Sequence, residues 1–325
     1  MTSALAERGV RTISATAAAE EIVPPDHRNE KIRIGGRTVQ LTNLQKPFWP
    51  ELGITKGDLL RYYAAVSRHL VPHLKDRAMV MKRYPNGWRG KFFFMKRTPD
   101  YAPAWLRTCS IEHGSGSVID FPVVDDLASL LWVVNAGCID LNPWYSRCVD
   151  TNRPDFLHFD LDPVPDAGFE RVRESALRVR DGLTKLKISS YLKTTGSKGI
   201  HVYVPIVHGP TQKQVWTFAK AFAKTLEGEW PELVTAEYRI AKRPAGRVLV
   251  DYNQNAWGST LASVYSVRAN AAAAVSTPVT WQEVEAGIEI ADFTLRNVPE
   301  RLEEVGDLWR KLLWKRGRFD LGALL

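Results

Sequence analysis

Three aspartates carry the first chemical signal in this chain. Asp160 and Asp162 stand two apart in Leu157-His158-Phe159-Asp160-Leu161-Asp162, and Asp251 closes Val248-Leu249-Val250-Asp251. On an extended strand, residues i and i+2 lie roughly 6.7 Å apart on one face, and a neighbouring strand runs about 4.8 Å to the side. Carboxylates that close repel one another unless a cation joins them. Hard oxygen ligands on an open surface suit Mg²⁺ or Mn²⁺, which keep their waters and recruit substrate phosphates. Two such ions about 3.5–4 Å apart clamp the attacking and leaving oxygens of an in-line displacement. Asp-x-Asp alone also occurs in turns and on solvated edges, so its setting must decide.

Other residues add to the signal. Thr194-Thr195-Gly196-Ser197-Lys198-Gly199 is a short glycine-bearing turn. Its backbone N–H groups could form an anion nest, with Lys198 as a point charge on a triphosphate. It lacks the first glycine and the spacing of a Walker A loop, and an ordinary hairpin loop is the alternative. Lys82-Arg83-Tyr84-Pro85-Asn86-Gly87 and Lys91-Phe92-Phe93-Phe94-Met95-Lys96-Arg97 interleave cations with aromatics. That mixture allows phosphate contact with base stacking. Strand alternation predicts that the three phenylalanines divide between core and stacking roles. Leu308 to Arg316 reads as an amphipathic basic helix, docked by its apolar face or offered to DNA.

The elements around the aspartates can be read from periodicity. Leu157 to Leu161 alternates as a strand, and Phe169, Val172, Ala176, Val179, Leu183 and Leu186 recur at helical spacing. Ile188 to Leu192 and Ile200 to Val204 are strand-like. Thr211 caps a helix bearing Val215, Phe218, Phe222 and Leu226, and Arg247 to Asp251 is a last strand. The order is βαββαβ, a ferredoxin- or RRM-like palm within an α/β (α+β) fold. Two interleaved right-handed crossovers place the strands in the order fourth, first, third, second, with both helices on one face. Leu157, Phe159, Leu161, Ile200, Val202, Val204, Val248 and Val250 then face the helices. Asp160, Asp162, His201, Tyr203 and Asp251 share the opposite, open face. His201 by itself also fits a hydrogen-bonded structural histidine.

Before the palm, Lys31 to Ile34 is a strand closed by Gly35-Gly36. A helix follows with Thr55 as N-cap and Leu59, Tyr63, Val66 and Leu70 on one face, and another runs from about Asp125 to Ala136, stopping at Gly137. Residues 1–30, rich in Ala, Ser, Thr and Glu, read as a flexible arm. The predicted catalytic domain covers 31–325: an αβ module to about 150, the palm from about 151 to 270, and a helical segment from about 280.

Composition sets the bounds. The 325 residues are 45% hydrophobic and 25% charged, with 44 Lys plus Arg against 36 Asp plus Glu for a net charge of +8. That excludes a disordered or fibrous chain and favours a polyanionic partner. Three scattered cysteines, Cys109, Cys138 and Cys148, exclude a zinc ribbon or a disulfide framework. No apolar run is long enough for a membrane span and no secretory leader is visible, so a cytoplasmic protein is expected.

Phe159-Asp160-Leu161-Asp162-Pro163, Lys193-Thr194-Thr195-Gly196-Ser197-Lys198-Gly199-Ile200-His201 and Val248-Leu249-Val250-Asp251 together resemble the three motifs of the archaeo-eukaryotic primase superfamily. More closely, from about residue 35 to 310 the chain resembles the polymerase domain of bacterial ligase D and its stand-alone relatives, including those associated with ligase C. The resemblance implies a primase-polymerase fold. It makes Asp160, Asp162 and Asp251 ligands of two Mn²⁺ or Mg²⁺ ions, and Lys82, Thr195, Lys198, His201 and Arg268 contacts of a nucleoside triphosphate. Phe93 and Phe94 match an aromatic pair on template bases, while Lys46 and Lys56 match lysines that hold a downstream 5′-phosphate. Thr195 stands where Ser is usual, Asn142 where His is expected, and Pro244-Ala245 alters the basic loop before Asp251. A Thr hydroxyl has the hydrogen-bonding capacity of Ser, so the ribonucleotide preference implied by the resemblance is expected to persist.

The implied function is template-directed filling of short DNA gaps or ends in non-homologous end joining. The partners would be DNA with a primer terminus, a separate ATP-dependent ligase and an end-binding protein, in a bacterial, nucleoid-associated setting. The rival readings are a metal-dependent nuclease or phosphodiesterase and a non-catalytic DNA-binding repair module.

Overall fold

The structure, a computed structural model, describes residues 15–114 and 116–324. Helix α1 (Ala15–Ile22) leads into Val23, and Ala19 and Val23 are buried in the core. Arg61 donates to the Val23 carbonyl at 3.3 Å. The arm expected over 1–30 is therefore helical from residue 15 and anchored in the core at Ala19 and Val23, and the expectation for residues 1–14 lies outside the described residues. Small alanines carry so little hydrophobic contrast that the helical period is hard to see in sequence.

Strands β1 (Glu30–Ile34) and β2 (Arg37–Leu41) form a hairpin. Its two turn residues, Gly35 (φ 55°) and Gly36 (φ 80°), both take the left-handed conformation that a two-residue hairpin turn requires. Short β3 (Pro47–Trp49) and β4 (Ile54–Thr55) precede α2 (Lys56–Leu74). Thr55 and Asp58 form a reciprocal capping box there, and Leu59, Tyr63, Val66 and Leu70 are buried as their spacing predicts. Strands β5 (Met79–Arg83) and β6 (Phe93–Met95) pair, the hairpin β7 (Thr108–Glu112) and β8 (Val118–Pro122) follows, and α3 (Leu127–Asn135) leads to β9 (Cys138–Pro143). Strand β9 closes the other side of β5. Phe92, Phe93 and Phe94 are 45%, 44% and 57% exposed, so none is core. Among the described residues β6 pairs only with β5, and while its Met95 packs partly against the core, Phe93 and Phe94 stay uncovered.

The palm follows the predicted plan. It comprises β10 (Phe156–Pro163), α4 (Phe169–Lys185), β11 (Tyr191–Thr194), β12 (Ile200–Pro205), α5 (Gln212–Glu229), β13 (Val234–Thr235) and β14 (Val248–Asp251), with β15 (Pro278–Val279) added later in the chain. The sheet order is β13-β14-β10-β12-β11-β15. Its four central strands stand as fourth, first, third and second, all antiparallel. The predicted apolar face of β10, β12 and β14 packs on Val172, Ala176, Val179 and Leu183 of α4 and Val215, Ala219, Ala223 and Leu226 of α5. The second strand starts at Tyr191 rather than Ile188. Ile188 instead follows Lys187 (φ 58°) and plugs the end of α4, its N–H bonded to the Leu183 carbonyl.

The opposite face is not open. His158, Lys193, His201 and Tyr203 are buried on it. Tyr145 covers His158 at 5.2 Å between rings, and Trp309 lies 4.6 Å from Tyr203 while donating its indole N–H to the Leu192 carbonyl at 2.9 Å. The basic helix expected over Leu308–Arg316 is absent; the segment holds only a 3₁₀ turn, Arg310–Leu313, after helices α6 (Trp281–Ala286) and α7 (Val298–Val305). Asp307 dictates that shape. Its carboxylate accepts the Trp309 backbone N–H, the Tyr265 hydroxyl and His73 Nε2, at 2.9, 2.8 and 2.8 Å, which pins a turn where a helix would unpin Trp309. One buried apolar cluster runs from Ala19 to Leu321, joining the N-terminal module, the palm and this C-terminal segment. No described helix is long and apolar enough to cross a membrane.

If Trp309 clamps the palm, Trp309→Ala should lower unfolding free energy by about 3–5 kcal/mol, the usual cost of emptying a buried aromatic site. Urea denaturation followed by circular dichroism measures this. A loss under about 1 kcal/mol would show that the C-terminal segment merely lies on the sheet.

Candidate active site

A cleft of about 210 Å³ remains where the covering layers stop short, lined among others by Asn142, Asp160, Asp162, Thr195, Lys198, His201 and Arg268. Pairing of β10 with β14 sets Asp160 directly opposite Asp251, and Asp162 lies two residues further along the same face. Asp160 is only 8% exposed. His201 Nε2 lies 3.1 Å from Asp160 Oδ1 but off the line of a hydrogen bond, so that oxygen is a buried acceptor without a donor. Burial pushes the Asp160 carboxyl up to about 6 against the pull of Lys193, Arg268 and Lys198. Burial and then the charge of Asp160 likewise push Asp162 up to about 6. Burial also raises Asp251, even though its oxygens accept Asn253 N–H at 2.8 Å and Gln254 Nε2 at 3.3 Å.

Those last two bonds tie Asp251 to the turn that follows it. Among the described residues no three His, Cys, Asp or Glu side chains form a ready-made metal cage. The expected meeting of three carboxylates and a histidine on an open surface is thus corrected: the backbones converge, in a cleft, with one carboxylate tied to the following turn. His201 is held well below the usual histidine range by burial, Lys193 and Arg268, and is neutral. The donor set nonetheless suits a hard divalent cation, because a buried, unpaired carboxylate oxygen beside a second raised carboxyl lacks positive charge.

The glycine-bearing turn is built differently from the nest its sequence allows. The N–H groups of Ser197, Lys198 and Gly199 all point to Thr195 Oγ1, at 3.2, 3.2 and 3.0 Å, so the hydroxyl fills the nest itself. Lys198 remains outside it, its ammonium 3.8 Å from Asp162 and its side chain 59% exposed. Arg268 arrives from a distant segment and donates to the Thr195 carbonyl at 2.6 Å, while Asn270 Nδ2 bonds the Gly196 carbonyl at 2.7 Å. Lys82 and Arg268 flank the buried carboxylate of Asp140 at 3.3 and 3.6 Å.

The other expected residues lie further out. Phe93 and Phe94 are solvent-facing on β6, with Phe92 wedged 4.4 Å under Lys82 Nζ. Lys46 Nζ bonds the Pro85 carbonyl at 2.6 Å and Asn86 Oδ1 at 2.9 Å. Lys56 is buried, its ammonium bonded to the Thr42 carbonyl at 2.6 Å and Asn135 Oδ1 at 2.8 Å, and burial with nearby Lys46 and Arg83 lowers it to about 8. Sequence reasoning missed Asp140, Lys193 and Asn270. Asp140 did leave a signal: it is a lone charge in the apolar run Cys138-Ile139-Asp140-Leu141.

An antiparallel palm with carboxylates opposite its helices and a cationic loop beside them is a mixed α/β arrangement suited to nucleotidyl transfer. The family described as LigD, primase-polymerase domain, matches residues 55–309, and the chain belongs to it, a family of DNA-directed nucleotidyltransferases. The multifunctional non-homologous end joining protein LigD of Mycolicibacterium smegmatis is 34% identical over 272 residues, 83% of this chain and 35% of that protein. The bifunctional LigD of Bacillus subtilis is 33% identical over 269 residues, 82% of this chain and 43% of its own length. The chain thus spans well under half of the curated relatives it matches. Among solved structures, the polymerase domain of Mycobacterium tuberculosis ligase D in complex with DNA aligns with a TM-score of 0.79 and 30% identity, over 85% of this chain and 98% of that one.

The raised carboxyls have a signed consequence. A native pKa near 6 against about 4 unfolded means the folded state binds protons more tightly. Stability from this source is then lost as pH rises from about 4 to 6. In a chelator at pH 7.5, Asp160→Asn should therefore stabilise the protein by about 1–3 kcal/mol, and the gain should vanish near pH 4. Chemical denaturation at the two pH values is the measurement; a destabilised variant at pH 7.5 would contradict the assignment of a strained carboxylate.

Proposed function

We propose that this chain is a metal-dependent, template-directed primase-polymerase that fills short gaps and broken ends of DNA during non-homologous end joining, with a preference for ribonucleotides. The observation that carries the reading is the unpaired, buried oxygen of Asp160, set opposite Asp251 and beside Asp162 in a member of a polymerase family. Asp160, Asp162 and Asp251 would hold Mn²⁺ or Mg²⁺. The chemistry that such ions would supply there is Lewis acidity toward the primer 3′-hydroxyl and neutralisation of charge on the triphosphate.

The chain's own residues supply binding and orientation. Lys198, Lys82 and Arg268 present cations to the triphosphate, and the exposed donors of Lys198 can follow its oxygens. His201 is neutral and offers a nitrogen without adding positive charge beside Asp160. Thr195 keeps its hydroxyl proton for a sugar or phosphate oxygen while its lone pairs hold the loop. Asn142 also lines the cleft and is the second candidate for contact with the sugar. Phe93 and Phe94 offer sequence-tolerant faces for template bases.

Lys46 is the accessible candidate for a downstream 5′-phosphate. The buried Lys56 shapes that corner from within, beside the N-terminus of α2, where an anion is favoured. A separate ATP-dependent ligase and an end-binding protein would complete the repair.

Primer extension on gapped DNA tests this reading, with Mn²⁺ or Mg²⁺, ribo- or deoxynucleotides, and a 5′-phosphate or 5′-hydroxyl at the gap. Wild type should extend the primer, favour ribonucleotides, and stop with chelator. Asp251→Ala should lose roughly a hundredfold or more in rate, as when a transition-state charge partner is removed. The 5′-phosphate should improve DNA binding by about 1–3 kcal/mol, an advantage that Lys46→Ala reduces. Shortening of the primer would establish a nuclease instead, and equal use of both sugars would remove the ribonucleotide preference.

A further inference from the structure

Two of the cations assigned above to the triphosphate come from distant parts of the chain and meet at one buried carboxylate. Asp140 lies on β9 as the direct cross-strand partner of Lys82 and is only 2% exposed. Its Oδ2 takes Lys82 Nζ at 3.3 Å and sits 3.6 Å from Arg268 Nε, while its Oδ1 accepts the backbone N–H of Ala269 at 3.1 Å. Arg268 is held a second time by the Thr195 carbonyl, at 2.6 Å. Lys82 is held a second time by the faces of Phe92 and Tyr84, at 4.4 and 5.3 Å. The carboxylate thus touches both long side chains and the backbone that carries one of them.

We propose that Asp140 is a positioning residue that pre-orients Lys82 and Arg268 toward the triphosphate, an inference that rests on the nucleotide-binding role of those two cations. Lys and Arg lose much rotamer freedom when a ligand immobilises them, and a fixed anion behind them removes that cost before the ligand arrives. Lys82 commits one of its three donors to Asp140, while Arg268 commits one to the Thr195 carbonyl and meets Asp140 through charge alone, its Nε at 3.6 Å making no hydrogen bond, so both retain N–H groups for phosphate oxygens. Asp140 itself cannot touch the triphosphate with profit, because like charges repel. That repulsion makes the sign of the effect diagnostic. As a bare nearby charge, Asp140 weakens triphosphate binding, so removing it would tighten binding. As an orienting anchor, it strengthens binding, so removing it loosens binding.

The test is equilibrium binding of a fluorescent ATP analogue with Mg²⁺ to the full chain on gapped DNA, followed by anisotropy, with KM and kcat from primer extension alongside. Asp140→Asn keeps an acceptor for Ala269 N–H but loses the charge. It should bind the analogue roughly tenfold more weakly, the scale of a lost charge-assisted hydrogen bond, with KM raised and kcat nearly unchanged. In a Lys82→Met/Arg268→Met background the same substitution should add no further loss.

Unchanged or tighter binding by folded Asp140→Asn would overturn the assignment, as would a full additional loss in the double-substituted background. Asp140→Ser, which leaves room for a water, is measured in parallel. Failure of both variants to unfold cooperatively would make Asp140 a stability residue and also overturn it. Equal binding by wild type and Lys82→Met/Arg268→Met would instead refute the role of the two cations, and this inference with it.

Discussion

The structure depends on burying one face of a sheet that is built of charge. Opposite the helices, β10, β11 and β12 present His158, Asp160, Lys193, His201 and Tyr203, and all five are buried. Desolvation acts on them in opposite directions. It drives His158, Lys193 and His201 well below their usual ranges, toward neutrality, and it drives Asp160 up toward protonation. Few hydrogen bonds relieve this: Lys193 donates to Ser276 Oγ at 2.5 Å, whereas no well-formed hydrogen bond reaches either ring nitrogen of His158, which the Gln254 backbone approaches. A face arranged so is costly without a bound ligand, and positive charge brought to its carboxylate end would offset that cost.

The covering layers explain why the cost is tolerated. Arg77, buried on the module side, makes a two-pronged bond to Asp155 at 2.7 and 2.9 Å, and Arg147 adds a third contact at 2.9 Å. Burial alone would raise Asp155, but the two guanidiniums outweigh it and hold that carboxyl near 2. Breaking such a pair leaves an uncompensated buried charge, so the module and the palm are kept in register by the penalty of separation. The Asp307 clasp does the same for the C-terminal segment, and Trp309 then closes the sheet.

Space, more than charge, sets the cationic loop. A Cβ on Gly199 would stand 2.2 Å from the Leu161 carbonyl oxygen, and one on Gly196, at φ 64°, would stand 2.7 Å from the Val275 backbone. The loop is thereby pressed between the aspartate strand and the segment that delivers Arg268. Close approach explains both glycines, and the Thr195 hydroxyl satisfies the N–H groups that the tight turn would otherwise strand.

Much of this was legible in the chain. Alternation in Leu157–Asp162, Ile200–Val204 and Val248–Asp251 sorted apolar from polar positions correctly, because a strand's period of two is a local property. The βαββαβ order then implied the strand arrangement, because handed crossovers leave few alternatives. Helix α2 was legible from its cap and stripe. Helix α1 was obscured by alanine, and the segment around Trp309 looked helical because amphipathic spacing cannot report a tertiary clasp. Local pattern therefore determined the strands, their faces and the placement of Asp160, Asp162 and Asp251 on one side of the palm. Tertiary structure alone decided that this side would be a narrow cleft, that Lys56 would turn inward, that Asp251 would be drawn to Gln254, and that Lys82 and Arg268 would share Asp140. Those outcomes depend on contacts between residues far apart in sequence, and no local period encodes which distant side chain will arrive or how much water it will displace.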